Sequence, residues 1–278
     1  MTTIRAALNA AREQFRAVSE SPGLDAQLLL AGVLQVEQAW LLAHDDETLT
    51  DDQQIRYAEQ VKRRAAGEPI AYILGRRAFY DREILVAPGV LIPRPETELL
   101  LEAALTHAAN LAQTIVADIG TGSGALAVTF AAHCPSALVY AVDISPQALT
   151  IARRNAERQQ VNVTFFDGDL LAPLIERQIR IDILIANLPY IARDELSNLA
   201  VSAYEPRLAL DGGPDGLDLV RRLVADVRQV CDPGALILLE IGADQGPAAL
   251  AVAQGIQPQQ VTIMQDYAGL DRIVRMVL

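Results

Sequence analysis

The chain has 278 residues, of which 51% are apolar and 21% charged, with a formal net charge of −12. These figures exclude a disordered or fibrous chain and leave room for one large domain and a small one. No apolar run is long enough to span a bilayer, MTTIRAALNAAREQF lacks the apolar core of a secretory signal, and the acidic balance argues against unassisted binding to a phosphate backbone.

The basic clusters VKRRAAG and ARRNAERQ read as solvated helix faces. Cys134 and Cys231 stand far apart and suggest buried thiols in a reducing cytoplasm rather than a disulfide. His44, His107 and His133 show no paired spacing, so no metal site is expected.

Residues 1–75 read as a small helix bundle. TIRAALNAAREQFRAVSE sets Ile4, Leu8, Ala11 and Phe15 on one face at helical spacing. SPGLDAQLLLAGVLQV gives a break and a second helix. TDDQQIRYAEQVKRRAAGEP opens on Thr50 as an N-cap, carries acids in its first turn and bases in its last, and stops at Gly-Glu-Pro. Trp40 and Tyr57 are expected in the core of this bundle.

Residues 76–95 change character. FYDREILV and GVLIP are strand-like runs joined by Ala-Pro-Gly, which predicts a hairpin linking two domains. The helix ETELLLEAALTHAANL follows and opens the larger domain, 96–278. From about residue 112 strands and helices alternate: TIVADIG, SGALAVTFAAHC, ALVYAVDIS, PQALTIARRNAERQ, then the strands VNVTFFDGDL, IDILIANLPY, ALILLEIG and RIVRMVL. Such alternation predicts an α/β fold, a mostly parallel Rossmann-like sheet with helices on both faces.

ADIGTGSGALA places Gly120, Gly122 and Gly124 after a strand and before a helix, with Thr121 and Ser123 between them. Glycine there permits unusual backbone angles and a close approach of ligand to main chain. A bare GxGxG also marks tight turns. The Gly-Lys-Ser/Thr ending of a phosphate loop is absent, and the spacing is not that of a dinucleotide fingerprint. S-adenosylmethionine is the third reading, and the acid Asp118 suits its ammonium and sulfonium charges. At the end of the next strand Asp143, beside Ile144, is placed either to accept from ribose hydroxyls or to cap the helix near Pro146. Asp169, beside Leu170, is placed either to meet an adenine amino group or simply to turn the chain.

One strand ends in IANLPYIARDEL. Asn187 has a donor and an acceptor, Pro189 fixes the backbone, and Tyr190 has a flat face with a hydroxyl. These suit a planar polar group, though a plain strand-to-loop turn reads the same way.

With these pieces the chain resembles the HemK/PrmC family, the release factor glutamine methyltransferases, within the class I S-adenosylmethionine-dependent methyltransferases. LDAQLLLAGVL, GEPIAYILGRRAFY, VLIPRPETELLLE, ADIGTGSGALA, AVDISPQAL, ANLPYI and YEPRLALDGGPDGLDL carry the resemblance over nearly the whole chain. It implies an antiparallel last strand and methyl transfer to the amide nitrogen of the glutamine in the Gly-Gly-Gln motif of release factors. It further implies a substrate-docking helical domain, a monomer, and cofactor contacts from Gly120 to Gly124, Asp143 and the region of Leu170. Asn187, Leu188, Pro189 and Tyr190 match the family's Asn-Pro-Pro-Tyr clamp, with Leu188 in place of the first proline. A backbone carbonyl at that position serves equally from leucine, and Pro189 still restricts Leu188.

An amide nitrogen is a poor nucleophile because its lone pair is delocalised. The Asn187 side-chain oxygen and the Leu188 carbonyl can each accept one amide hydrogen and aim the lone pair at the methyl group. Tyr190 is expected to stack on the amide, and no general base is expected. Thr97 is expected at the cofactor, while Glu96 and Glu98 are expected to fasten the hairpin; Arg207 is left to pair with a local acid. Three other readings share these features: an adenine or RNA base amino-methyltransferase, a glutamine methyltransferase of a ribosomal protein, and a binding protein without turnover.

Overall fold

The computed structural model describes residues 2–111 and 113–278. Its contacts divide it into two units, the first ending at Arg76 and the second running from Arg77 to Leu278. No helix among the described residues is long and apolar enough to cross a membrane.

The first unit holds α1 (Ile4–Phe15), α2 (Pro22–Leu34), α3 (Gln38–Ala43), α4 (Asp51–Ala65) and α5 (Ile70–Leu74). In α1, Ile4, Ala7, Ala11 and Phe15 face inward and Leu8 is half-buried at the edge of that face. Thr50 and Gln53 form a reciprocal capping box at the start of α4, satisfying two backbone donors at once. Phe15, Leu29, Leu30 and Leu41 fill the core. The Tyr57 hydroxyl donates to the Ala26 carbonyl at 3.1 Å, and Trp40 stacks half-buried on His44.

The second unit is led by a hairpin, β1 (Arg76–Phe79) and β2 (Arg82–Leu85), which starts at the last residue of the first unit and is followed by α6 (Glu98–Ala108) and β3 (Ile115–Ile119). It continues through α7 (Ala125–His133), β4 (Leu138–Asp143), α8 (Pro146–Gln159), β5 (Thr164–Asp167), α9 (Ala172–Glu176) and β6 (Ile181–Ala186). The chain then closes with α10 (Asp218–Asp226), β7 (Cys231–Glu240), α11 (Gly246–Gln254), β8 (Gln260–Gln265) and β9 (Asp271–Val277).

Seven strands form one sheet in the order β5-β4-β3-β6-β7-β9-β8, and only the last in the chain, β9, runs antiparallel to its neighbours. Side chains alternate across it. Ala117 and Ile119 of β3 face α9, α10 and α11, whereas Val116 faces α6, α7 and α8. Both faces are thereby covered, as a parallel sheet requires.

Two expectations need correction. The hairpin turns at Tyr80-Asp81, not at Ala-Pro-Gly, and GVLIP forms no strand. Tyr80 takes up the left-handed backbone (φ 56°), and its N–H donates to the Glu98 carboxylate at 2.9 Å. That bond holds a turn in which a tyrosine, not a glycine or asparagine, takes the left-handed position. The strand β8 was not expected at all: it lies on the sheet edge, with no fully buried residue, a glutamine at each end and Thr262 interrupting its apolar residues.

Candidate active site

The chain passes from β3 outward through β4 and β5, then crosses to β6 and β7 on the other side. The strand order therefore reverses between β3 and β6, and a crevice opens beyond their carboxyl ends. Register decides which residues meet there. Ile119 pairs with Val142 of β4 and with Ala186 of β6, so Gly120, Asp143 and Asn187 each stand next along three adjacent strands. Asp143 in turn pairs with Asp167 of β5, which brings Gly168, Asp169 and Leu170 to the same rim.

A cleft of about 420 Å³ occupies this crevice, bounded by Gly120, Gly122, Asp143, Ile144, Asp169, Leu170, Asn187, Leu188 and Pro189. Its far wall, Pro206, Leu208 and Ala209 with Leu219 and Arg222, comes from a segment to which the sequence assigned no ligand role. A second cavity of about 70 Å³ adjoins it, lined by Arg94, Tyr190, Ile191 and Leu210 and sharing Leu91, Asn187, Leu188 and Ala209 with the first.

Gly120, Gly122 and Gly124 all adopt left-handed backbone angles (φ 73°, 57° and 80°). At Gly120 the space is also used: a Cβ there would lie 3.0 Å from Cδ2 of the buried Leu188. The loop is fixed from several sides. Gly122 N–H donates to Asp143 Oδ2 at 2.8 Å, while Asn155 Nδ2 donates to the Ser123 carbonyl at 2.9 Å. The same Asn155 side chain accepts from Leu85 N–H and donates to the Leu85 carbonyl, tying β2 to the loop.

Asp143 keeps lone pairs for a ligand. Oδ2 accepts from Gly122 N–H and Oδ1 from Ser145 N–H, with the Ile144 N–H also acting on the carboxylate, which has about four acceptor sites in all. Ser145, not Asp143, caps α8, its hydroxyl accepting from Ala148 N–H. Burial pushes the Asp143 carboxyl above its usual range, against the pull of the Ser145, Gly122 and Ile144 N–H groups.

Asp118 does not line the cleft and is corrected here. It is 1% exposed, and its Oδ2 accepts from the Thr121 hydroxyl at 2.6 Å and from Ala127 N–H at 3.2 Å. Burial drives its carboxyl up to about 7. It braces the loop from below, where Thr121 and Ser123 are also buried. Asp169 is exposed and pairs with Arg222 at 2.5 Å.

Thr97 lies off the cleft wall as well, accepting at Oγ1 from Asn187 Nδ2 at 2.9 Å. Tyr190 is largely buried, and its hydroxyl donates to Glu240 at 3.4 Å. Burial first, then the charge of Glu240, pushes that phenol up to about 12, so it stays protonated. The backbone from Pro189 to Tyr190 is held by the glycine-rich segment that follows and by Gln245. Gly212 packs so closely that a Cβ would fall 2.6 Å from the Pro189 carbonyl oxygen, and Gln245 Nε2 donates to the Tyr190 carbonyl at 2.8 Å. Glu205, buried, accepts from Arg94 at 2.5 Å and from Ile92 N–H, joining this segment to the IPRPE stretch. Arg207 pairs with Asp211 at 3.2 Å.

The chemistry of the cleft fits a cationic nucleoside. Among the lining residues the charged groups are Asp143, Asp169 and Arg222, and the arginine is already paired. With Arg222 spent on Asp169, a pyrophosphate would meet the Asp143 carboxylate; a sulfonium would be favoured by it. The volume lies in the range of small-molecule sites. Among the described residues no group of three or more His, Cys, Asp or Glu side chains could hold a metal.

Residues 6–75 match the PrmC N-terminal domain and residues 95–204 the methyltransferase small domain. A release factor glutamine methyltransferase of Moorella thermoacetica is 42% identical over 275 residues, covering 97% of this chain and 96% of that one. One from Bacillus subtilis is 39% identical, covering 90% and 89%. Among solved structures, a Pyrococcus furiosus methyltransferase aligns with a TM-score of 0.53 at 18% identity, over 70% of this chain and 87% of that chain. A Thermus thermophilus 16S rRNA methyltransferase in complex with AdoMet and guanosine aligns with a TM-score of 0.54 at 18% identity, over 73% and 49%. At these identities the two structures speak for the fold alone.

Proposed function

The chain belongs to the release factor glutamine methyltransferase family, and on that premise we propose that it methylates the side-chain amide nitrogen of the Gly-Gly-Gln glutamine of peptide-chain release factors. S-adenosylmethionine is the methyl donor, and the modified factor serves translation termination. One observation carries the reading: a cofactor-sized cleft and a cavity of amide size share a wall to which Asn187 and Leu188 contribute, together with Leu91 and Ala209. Transfer needs donor and acceptor on either side of one point, and that wall provides it.

When bound, S-adenosylmethionine supplies an electrophilic methyl group on a sulfonium. Gly120 to Gly124, including Thr121 and Ser123, would hold its amino-acid portion through the loop backbone. Asp143 would accept from the ribose hydroxyls, with Ile144 and Leu170 against the base and Asp169 near its amino group. Asp118 and Thr97 act from beneath, through the loop and through Asn187. With Nδ2 of Asn187 committed to Thr97, Oδ1 is the atom left for the substrate. It accepts one amide hydrogen, and the Leu188 carbonyl accepts the other. Two acceptors favour the positive charge that develops on nitrogen in the transition state. Pro189 stiffens this turn, and Tyr190 forms a face of the amide cavity. Held neutral, Tyr190 does not serve as a base, and the product amide releases its proton to water.

The reading takes the protein as a cytoplasmic monomer, with no membrane and no nucleic-acid substrate. Sedimentation at working concentration checks the first point. Labelled methyl transfer checks the substrate, using a purified release factor, a copy with the motif glutamine changed to alanine, ribosomal protein, adenine-containing DNA and ribosomal RNA. Label on the intact factor alone is the expected result; label on nucleic acid, or equal label on both factor versions, overturns the acceptor.

A further inference from the structure

Behind the clamp lies a buried polar cluster that touches neither proposed ligand. Glu240 ends β7 beside Ile273 of β9 and is 1% exposed, and Thr97 is 5% exposed. The Thr97 hydroxyl accepts from Asn187 Nδ2 on one side and meets the Glu240 carboxyl on the other. Oε1 of Glu240 receives the Tyr190 hydroxyl, whereas Oε2 is buried without a partner.

The direction of this chain of groups matters. An asparagine amide has two orientations of nearly the same shape, distinguished only by their hydrogen-bond partners. A threonine hydroxyl has one hydrogen. When a carboxylate takes that hydrogen, Thr97 can only accept from Asn187, so NH2 points inward and Oδ1 faces the cleft. With the hydrogen released, Thr97 could donate to Oδ1, turning the Asn187 NH2 outward. Donor would then face donor at the substrate amide.

We propose that Glu240 is a positioning residue that, through Thr97, fixes the Asn187 amide with its oxygen toward the acceptor nitrogen. This rests on the amide-methylation reading above. An ionised Glu240 only accepts; a protonated one can donate to Thr97 and reverse the chain. Burial pushes this carboxyl up to about 7, so the reversal falls within the working range of pH. The charged and titratable groups around it are Arg272 at the start of β9, Glu96 before α6 and Tyr190 after β6. Arg272 is held by Asp266 at 3.0 Å, and Arg94, which acts on Tyr190, is held by Glu205. Tyr190 stays neutral in that range, while Ala186 and Ile273 alongside carry no charge.

The test uses the full chain with a purified release factor, measuring kcat between about pH 5.5 and 8.5 and S-adenosylmethionine affinity by calorimetry. In the native protein kcat should rise with pH through an apparent pKa near that of Glu240. Glu240→Gln should lose that step and fall by ~10-fold or more, because its amide tolerates either orientation of the chain. Thr97→Val should fall similarly in kcat with cofactor affinity within about threefold, and Thr97→Ser should recover most of the loss. A pH step that persists in Glu240→Gln, or a fully active Thr97→Val, overturns the proposal. Should Glu240→Gln fail to fold, the native pH profile and the Val/Ser pair decide it. A native enzyme that leaves the release factor unlabelled instead refutes the substrate reading, which separates the two failures.

Discussion

Asn187 and Asp143 each stand at a strand end on the cleft, yet they are assigned to different ligands, and kinetics separates the two. Asn187→Ala should reduce turnover on a release factor by ~100-fold or more, as loss of a transition-state hydrogen-bonding group does, with cofactor affinity within a few-fold. Calorimetry and rate assays showing equal loss of both would end the clamp assignment. Asp143→Ala should chiefly weaken cofactor binding, and an unchanged affinity would refute the ribose role. Gly120→Ala combines a left-handed backbone angle with a 3.0 Å approach to Leu188. The substitution should cost ~1–2 kcal/mol, read as a lower melting temperature together with weaker cofactor binding. Residue types at Asn187 and Asp143 were legible from the strand-then-polar pattern. Glu240 was not singled out, although an acid closing the apolar run ALILLE was a signal to weigh. Its meaning came only from the neighbours that folding supplied.

At the scale of elements, much depends on one side chain. Asn155, on α8 and fully buried, bonds both backbone groups of Leu85 and the Ser123 carbonyl. Replacing it with leucine strands three backbone groups, one buried and two part-buried, at up to ~1–3 kcal/mol for each left unsatisfied. Asn155→Leu should therefore lower stability by several kcal/mol and loosen the glycine loop, seen as faster amide exchange at Ser123 to Gly124 and at Leu85. Unchanged exchange would show that the loop holds its shape without this tie. The helix PQALTIARRNAERQ was predicted with the bounds observed, because proline at its start and a polar end leave little freedom. The hairpin was misplaced because its turn is held by Glu98 from a distant helix, a contact no local pattern encodes. β8 went unread for a related reason: an edge strand needs only one partner and a thin apolar face.

For the molecule as a whole, two buried acids contribute to the pH dependence of stability. Asp118 and Glu240 both have carboxyls raised by burial to about 7. Between about pH 4 and pH 7 the folded chain thus holds protons that the unfolded chain has released, so stability falls as pH rises and levels above that window. Each pH unit of the interval is worth ~1.4 kcal/mol per group, several kcal/mol for the two together. A double variant, Asp118→Asn with Glu240→Gln, should show a flatter melting temperature from about pH 5 to pH 8. A decline parallel to the native protein's would remove these acids as the cause. The sequence by itself determined the alternating α/β plan, the antiparallel last strand through its family resemblance, and the Gly120, Asp143 and Asn187 positions, because periodicity and strand-end residues are local properties of the chain. The tertiary structure alone decided that these three stand side by side, that Pro206, Leu208 and Ala209 line the cleft, and that Asp118, Thr97 and Glu240 are buried off its wall. Strand register and burial join residues tens of positions apart, and a linear pattern carries no record of which ones will meet.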